Sequence, residues 1–168
     1  IVVLIGRTLY RMGRLDEAVL SLGEAAKMLD ADSSVKAAIG ADAAYWLGWA
    51  NLRLGRFVDA RDAFLVLAGE YPGDARSVES LLRAGICETM RADDLAAVKL
   101  FDEVIAAPRS DANDDTRAQA LYEEGRALGR LGRARERAEV FERLAAEFPK
   151  GRLAPQAFFK LAEQALVD

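Results

Sequence analysis

Catalysis by side chains needs a nucleophile, a proton carrier or a metal ligand, and this 168-residue sequence offers few of the usual ones. It contains no histidine. That removes Ser-His-Asp and Cys-His chemistry, the HExxH zinc arrangement and the side chain that ordinarily moves protons near neutral pH. The single cysteine, Cys87, permits neither an internal disulfide nor a cysteine-based zinc site, and a small buried thiol is the expected role. Asp111-Ala112-Asn113-Asp114-Asp115 begins like a calcium loop, but Thr116 stands where the loop needs glycine and Tyr122 where it needs glutamate. A solvated loop capping the next helix is expected there instead. The 27 acidic residues include Asp93-Asp94, read as a helix start whose carboxylates meet the N-terminal dipole. Nothing gathers the acids into a pair for acid–base work. The sequence therefore predicts no enzyme activity and no cofactor.

Composition narrows the elements that must carry any function. Just over half of the residues are apolar and 30% are charged, with a net charge of −4. That balance suits a folded domain or a short solenoid of this length. Ala, Leu, Arg and Glu are good helix formers, and no long period-2 run of β-branched residues occurs, so the fold class is all-α. A mild negative charge without a basic stripe argues against nucleic acid. The apolar run from Ile1 to Ile5 is far short of the roughly 20 residues a membrane span requires, so direct membrane insertion is not expected. A first residue other than methionine points to a piece of a longer protein.

An internal repeat organises the chain. Gly6, Gly48, Gly85 and Gly125 recur 42, 37 and 40 residues apart. A small residue follows each by seven places: Gly13, Gly55, Ala92 and Gly132. Next come Ala18, Ala60, Ala97 and Arg137, and four places later Leu22, Phe64, Phe101 and Phe141. Pro72, Pro108 and Pro149 close the later units, with Asp30 in the equivalent place of the first. A glycine inside a helix costs about 1 kcal/mol against alanine, which close approach of a neighbouring helix would offset. The second small residue can take the left-handed conformation that ends a helix. The proline stops the second helix of each unit. Each unit thus predicts a hairpin of an A helix and a B helix: 1–12 with 15–30, 35–54 with 57–70, 74–91 with 94–107, and 113–131 with 134–147. A ninth helix is expected at about 154–167. Surplus length falls in longer A helices and in loops 31–36 and 108–116.

The order glycine, small residue, Ala-x3-Phe and proline resembles the tetratricopeptide repeat over nearly the whole chain, most closely in the second and fourth units. Arg137 in place of a small residue and Ala92 in place of the turn glycine depart from it. The resemblance implies a right-handed α/α superhelix: one array over residues 1–168, with repeats at about 1–34, 35–73, 74–110 and 111–150 and a capping helix at 154–167. It also implies a non-enzymatic scaffold that holds another protein or a peptide on the concave face lined by A helices. The positions that map there are Arg7, Arg11, Tyr45, Trp49, Arg53, Leu82, Ile86, Met90, Tyr122, Arg126 and Arg130, with Phe159 and Glu163 in the same register of the ninth helix. Tyr, Trp, Met and Arg are enriched at protein interfaces, and the arginines favour a partner carrying acidic groups. Members that grip a chaperone's C-terminal carboxylate use a lysine–asparagine set that is missing from these places. The segments EYPGD and EFPKG are similar to repeats of bacterial envelope proteins, which implies a periplasmic or envelope location. A structural spacer that self-associates through the ends of the array is the alternative.

Overall fold

A computed structural model describes residues 1–27, 34–110 and 113–165. The ends expected for the second helix (28–30) and the ninth (166–167), Asp30, part of loop 31–36, and Asp111-Ala112 lie outside the described residues. Among those described, the order is α1 (Val2–Arg11), α2 (Leu15–Lys27), α3 (Ser34–Arg53), α4 (Phe57–Glu70), α5 (Ser77–Met90), α6 (Asp94–Ala106), α7 (Asp114–Arg130), α8 (Ala134–Glu147) and α9 (Ala154–Ala165). Among the described residues no helix is long and apolar enough to cross a membrane. The chain divides into two compact units, Ile1–Cys87 and Glu88–Asp168.

In the first unit α1 packs on α2, α2 on α3 and α3 on α4. The contacts are as close as helices allow. A methyl group added at Gly6 would lie 2.5 Å from Leu22 Cγ, and one at Gly48 would lie 2.6 Å from the Phe64 ring. Only glycine fits, so the propensity cost inside the A helix is exchanged for burial of a large side chain from the B helix. Ala18, Leu22, Ala60 and Phe64 are fully buried as a result. The second unit repeats the device, with α6 on α7, α7 on α8 and α8 on α9. Here a methyl at Gly125 would meet Phe141 at 2.7 Å. Cys87 is fully buried, as are Ala50 and Ala127 at the equivalent places.

Hairpin turns end the A helices in one way. Gly55, at φ 72°, donates to the Leu52 carbonyl while Arg56 N–H reaches back to Asn51, the paired bonds of a Schellman cap. Ala92 does the same work at φ 60°, with bonds to Thr89 and from Asp93 to Glu88. The helices α4, α6 and α8 stop at the residue before proline, which is driven out of the helical region by the proline ring. Tyr71 (φ −126°, ψ 55°), Phe148 (φ −129°, ψ 55°) and Ala107 (φ −58°, ψ 148°) all obey this.

One boundary departs from expectation. α5 starts at Ser77 rather than 74, because Asp74 accepts the Arg76 N–H through its side chain and the backbone turns once more before the helix begins. Asn113 precedes α7, but its side chain serves the loop, accepting from Ser110 N–H and donating to the Pro108 carbonyl. Asp93 caps α6 by accepting the Ala96 N–H at 3.1 Å, as its position predicts.

Candidate protein-interaction site

The A-helix positions that the resemblance assigns to a binding face are arranged differently in the two units. In the first unit, the Gly48–Phe64 approach builds a platform. Phe64 lies edge-on to Tyr45 (6.5 Å) and Trp49 (5.9 Å), whose own ring centroids are 6.2 Å apart. These three rings pack at the separations favoured by aromatic quadrupoles. Two guanidinium groups cover the outer pair: Arg76 lies 5.0 Å from the Tyr45 ring and Arg83 4.9 Å from the Trp49 ring. Asp74 and Asp42 hold Arg76 in place, and both keep its guanidinium firmly charged. Glu79 holds Arg83 at 3.1 Å and accepts from the Tyr45 hydroxyl at 3.4 Å. Burial pushes the Tyr45 phenol above its ordinary range.

Arg53 stacks 5.1 Å from Tyr10 and donates to the Tyr10 carbonyl. Trp46 turns the other way, against Tyr10 at 5.3 Å, and joins the core around Ala18 and Leu22. Arg7 lines a groove of about 490 Å³ with Leu4, Ile39 and Asp42, while Arg11 is exposed. Leu82 is 1% exposed, a core residue that offers no surface to a partner. Ile86 is half-buried, and Met90, which falls in the second unit, is exposed.

In the second unit, Tyr122 packs 6.0 Å from Phe141, and Arg126 lies over Tyr122 while pairing with Glu123 at 3.0 Å. Arg130 forms a forked ion pair with Asp94 at 2.7–3.0 Å, so Asp94 does more than start its helix. Arg126, Arg130, Arg137, Phe141, Lys160 and Glu163 surround a pocket of about 300 Å³. Phe159 is exposed on α9. Glu124 is buried near the charges of Asp102 on α6, of Arg133 just before α8, and of Glu136 and Arg143 on α8. Burial, helped by the Asp102 charge, lifts its carboxyl to about 7.

Sequence spacing brings together Tyr45 and Trp49, and also Arg126 and Arg130. It misses Arg76 and Arg83, which come from the loop before α5 and from α5 itself to cover the rings of α3. It also misses Arg137 and Lys160 as lining residues, although Arg137 already stood out as a break in the repeat. Among the described residues no group of three His, Cys, Asp or Glu side chains is placed to hold a metal ion.

Comparison with known proteins agrees with this architecture. The family model described as tetratricopeptide repeat matches residues 3–75. No curated protein matches the chain. Among solved structures, the nearly identical TPR-like repeats assigned to a kinesin light chain of Podosopora anserina superpose with a TM-score of 0.68. They are 18% identical, and the match covers 97% of this chain and 83% of theirs. MamA (AMB-1) gives a TM-score of 0.64 at 22% identity, over 95% of this chain and 76% of its own. A further MamA structure gives 0.66 at 18% identity, over 96% and 82%. Residues 3–75 thus match the tetratricopeptide repeat, and the whole chain shares the helical-hairpin fold of these solved structures.

Proposed function

We propose that the chain is a non-enzymatic scaffold that binds a peptide segment or partner domain on the exposed faces of its A helices. Tetratricopeptide repeats generally mediate protein–protein interaction, and the site supports that role here. The observation that carries the reading is the Tyr45–Trp49 pair. Two half-buried rings, fixed from below by Phe64 and flanked by Arg76 and Arg83, form a rigid aromatic–cation surface of the kind that dominates binding energy at interfaces. Such a surface needs little ordering when a ligand arrives, which lowers the entropic cost of binding. Its guanidinium groups favour a partner with acidic or carbonyl-rich segments.

The test is capture from the source organism's lysate by the intact chain and by a Tyr45→Ala, Trp49→Ala, Arg53→Ala variant of unchanged circular dichroism. A protein retained by the parent and lost by the variant supports the reading. Equal retention moves the site elsewhere on the molecule.

A second reading, association between copies, is favoured by one feature. Leu4 (57% exposed), Ile5 and Ile39 leave apolar surface beside the 490 Å³ groove. Sedimentation at rising concentration separates the two, since a strict monomer leaves no place for self-association.

A further inference from the structure

In three hairpins the place five residues beyond the turn is a fully buried alanine: Ala18, Ala60 and Ala97. In the fourth it is Arg137. An arginine cannot occupy a helix–helix contact made for a methyl group, and the structure shows what makes room. Gly129, one turn beyond the close-contact Gly125, has no side chain. The stem of Arg137 lies across it, so that even a Cβ there would be 3.3 Å from Arg137 Cδ. The guanidinium then lies 5.9 Å from the Phe141 ring and donates to the Lys160 carbonyl at 3.4 Å. The paired change, glycine on α7 and arginine on α8, converts a core position into one wall of the 300 Å³ pocket.

The pocket's charge has a definite pattern. Arg126, Arg130, Arg137 and Lys160 bring four cations, and the carboxylates paired with them are Glu123, Asp94 and Glu163. Glu123 and Asp94 are paired with Arg126 and Arg130. Among the described residues, Glu163 from α9 is the carboxylate that reaches Arg137 and Lys160. Lys160 Nζ is 2.7 Å from its carboxylate and Arg137 Nη2 is 3.9 Å away. The longer contact leaves Arg137 with most of its hydrogen-bonding capacity unspent on Glu163. The site therefore holds a side-chain carboxylate from the chain itself, closely at Lys160 and only loosely at Arg137.

We propose that this pocket takes an aspartate or glutamate side chain from an internal segment of a partner protein, with Arg137 as the principal contact and Glu163 as a built-in competitor that the partner displaces. The proposal rests on the interaction reading above. It commits to a side chain rather than a chain terminus because Glu163 already shows that the cations accept one. It predicts binding that weakens with salt, since half-exposed charges are screened.

The experiment uses the intact, isotope-labelled chain and three twelve-residue probes: a Leu/Glu peptide and its Leu/Gln counterpart, both blocked at each end, and the Leu/Gln peptide with a free C-terminal carboxylate. Arginine Nε–H and backbone signals are followed by nuclear magnetic resonance. The Leu/Glu peptide is expected to shift Arg137 and Arg126 and to bind at least 10-fold tighter than the Leu/Gln peptide. In Arg137→Ala, which restores the residue type of the other hairpins, that preference disappears while the spectrum stays folded. In Glu163→Gln, removal of the competitor tightens the Leu/Glu peptide about 3- to 10-fold. Equal affinity for the Glu and Gln peptides, or a Glu163→Gln variant no tighter than the parent, overturns the proposal. Preference for the free C-terminus overturns the choice of a side chain. Shifts confined to Tyr45 and Trp49 would sink this pocket and leave the interaction reading standing. Silence at both sites would count against both.

Discussion

At the scale of single residues, two positions hold unusual states whose cost can be measured. Ala92 adopts the left-handed conformation that the other hairpin turns give to glycine. Its Cβ makes that conformation unfavourable by about 1–2 kcal/mol, partly offset because glycine would be freer in the unfolded chain. Ala92→Gly should therefore raise stability by about 1 kcal/mol and the melting temperature by a few degrees, read by calorimetry. Glu124 is the second case. Its folded carboxyl keeps its proton to about pH 7, whereas the unfolded one releases it near 4.5. Between those values the folded state binds more protons, so stability falls as pH rises through that window and levels off above it. Glu124→Gln removes the titration. Its advantage over the parent should grow by about 2 kcal/mol between pH 5 and 8, the equivalent of most of the shift at about 1.4 kcal/mol per unit. Parallel denaturation curves for the two proteins check it, and an advantage independent of pH would refute the assignment.

Elements are joined in the second unit by one buried arginine. Arg117 of α7 is 8% exposed, donates to the carbonyls of Ile105 and Ala107 at the end of α6, and pairs with Glu147 at the end of α8 at 3.2 Å. The guanidinium thus satisfies helix-end carbonyls that would otherwise be orphaned and ties three helices at one point. Arg117→Ala should cost about 3 kcal/mol, because it leaves those acceptors buried without a donor. Lysine should recover only part of the loss, since a single ammonium cannot spread its donors across two helix ends. Urea denaturation of both variants measures the difference, and full recovery by lysine would show that charge alone is needed.

For the whole molecule, the repeat architecture makes stability close to a sum of hairpins and their nearest neighbours. Both tryptophans, Trp46 and Trp49, lie in the first unit, so indole fluorescence reports that unit while circular dichroism reports every helix. In Arg117→Ala the dichroism transition should move to lower temperature with part of its amplitude, while the fluorescence midpoint stays within about 1–2 °C of the parent. That separation follows from nearest-neighbour coupling, because the lesion is local to α6, α7 and α8. A single coincident shift of both signals would mean that the chain melts as one cooperative body.

What the sequence determined by itself is whatever depends on local chemistry and period. Glycine, alanine and aromatic residues at fixed offsets predict A and B helices in close contact, and Gly6, Gly48 and Gly125 meet Leu22, Phe64 and Phe141 as that pattern requires. Pre-proline sterics likewise mark the ends of α4, α6 and α8. The pairing of Tyr45 with Trp49 was legible because residues four apart share a helix face. Tertiary structure alone decided which groups cover those rings. Arg76 and Arg83 arrive about 30 residues later in the chain, and helical period carries no information across a loop. The same holds for Leu82, which sits on the predicted stripe yet is buried, because exposure depends on what packs beside a helix and not on register alone. Arg137 lies between the two cases. The sequence marks it as a break in the pattern, but only packing against Gly129 turns the break into a pocket wall.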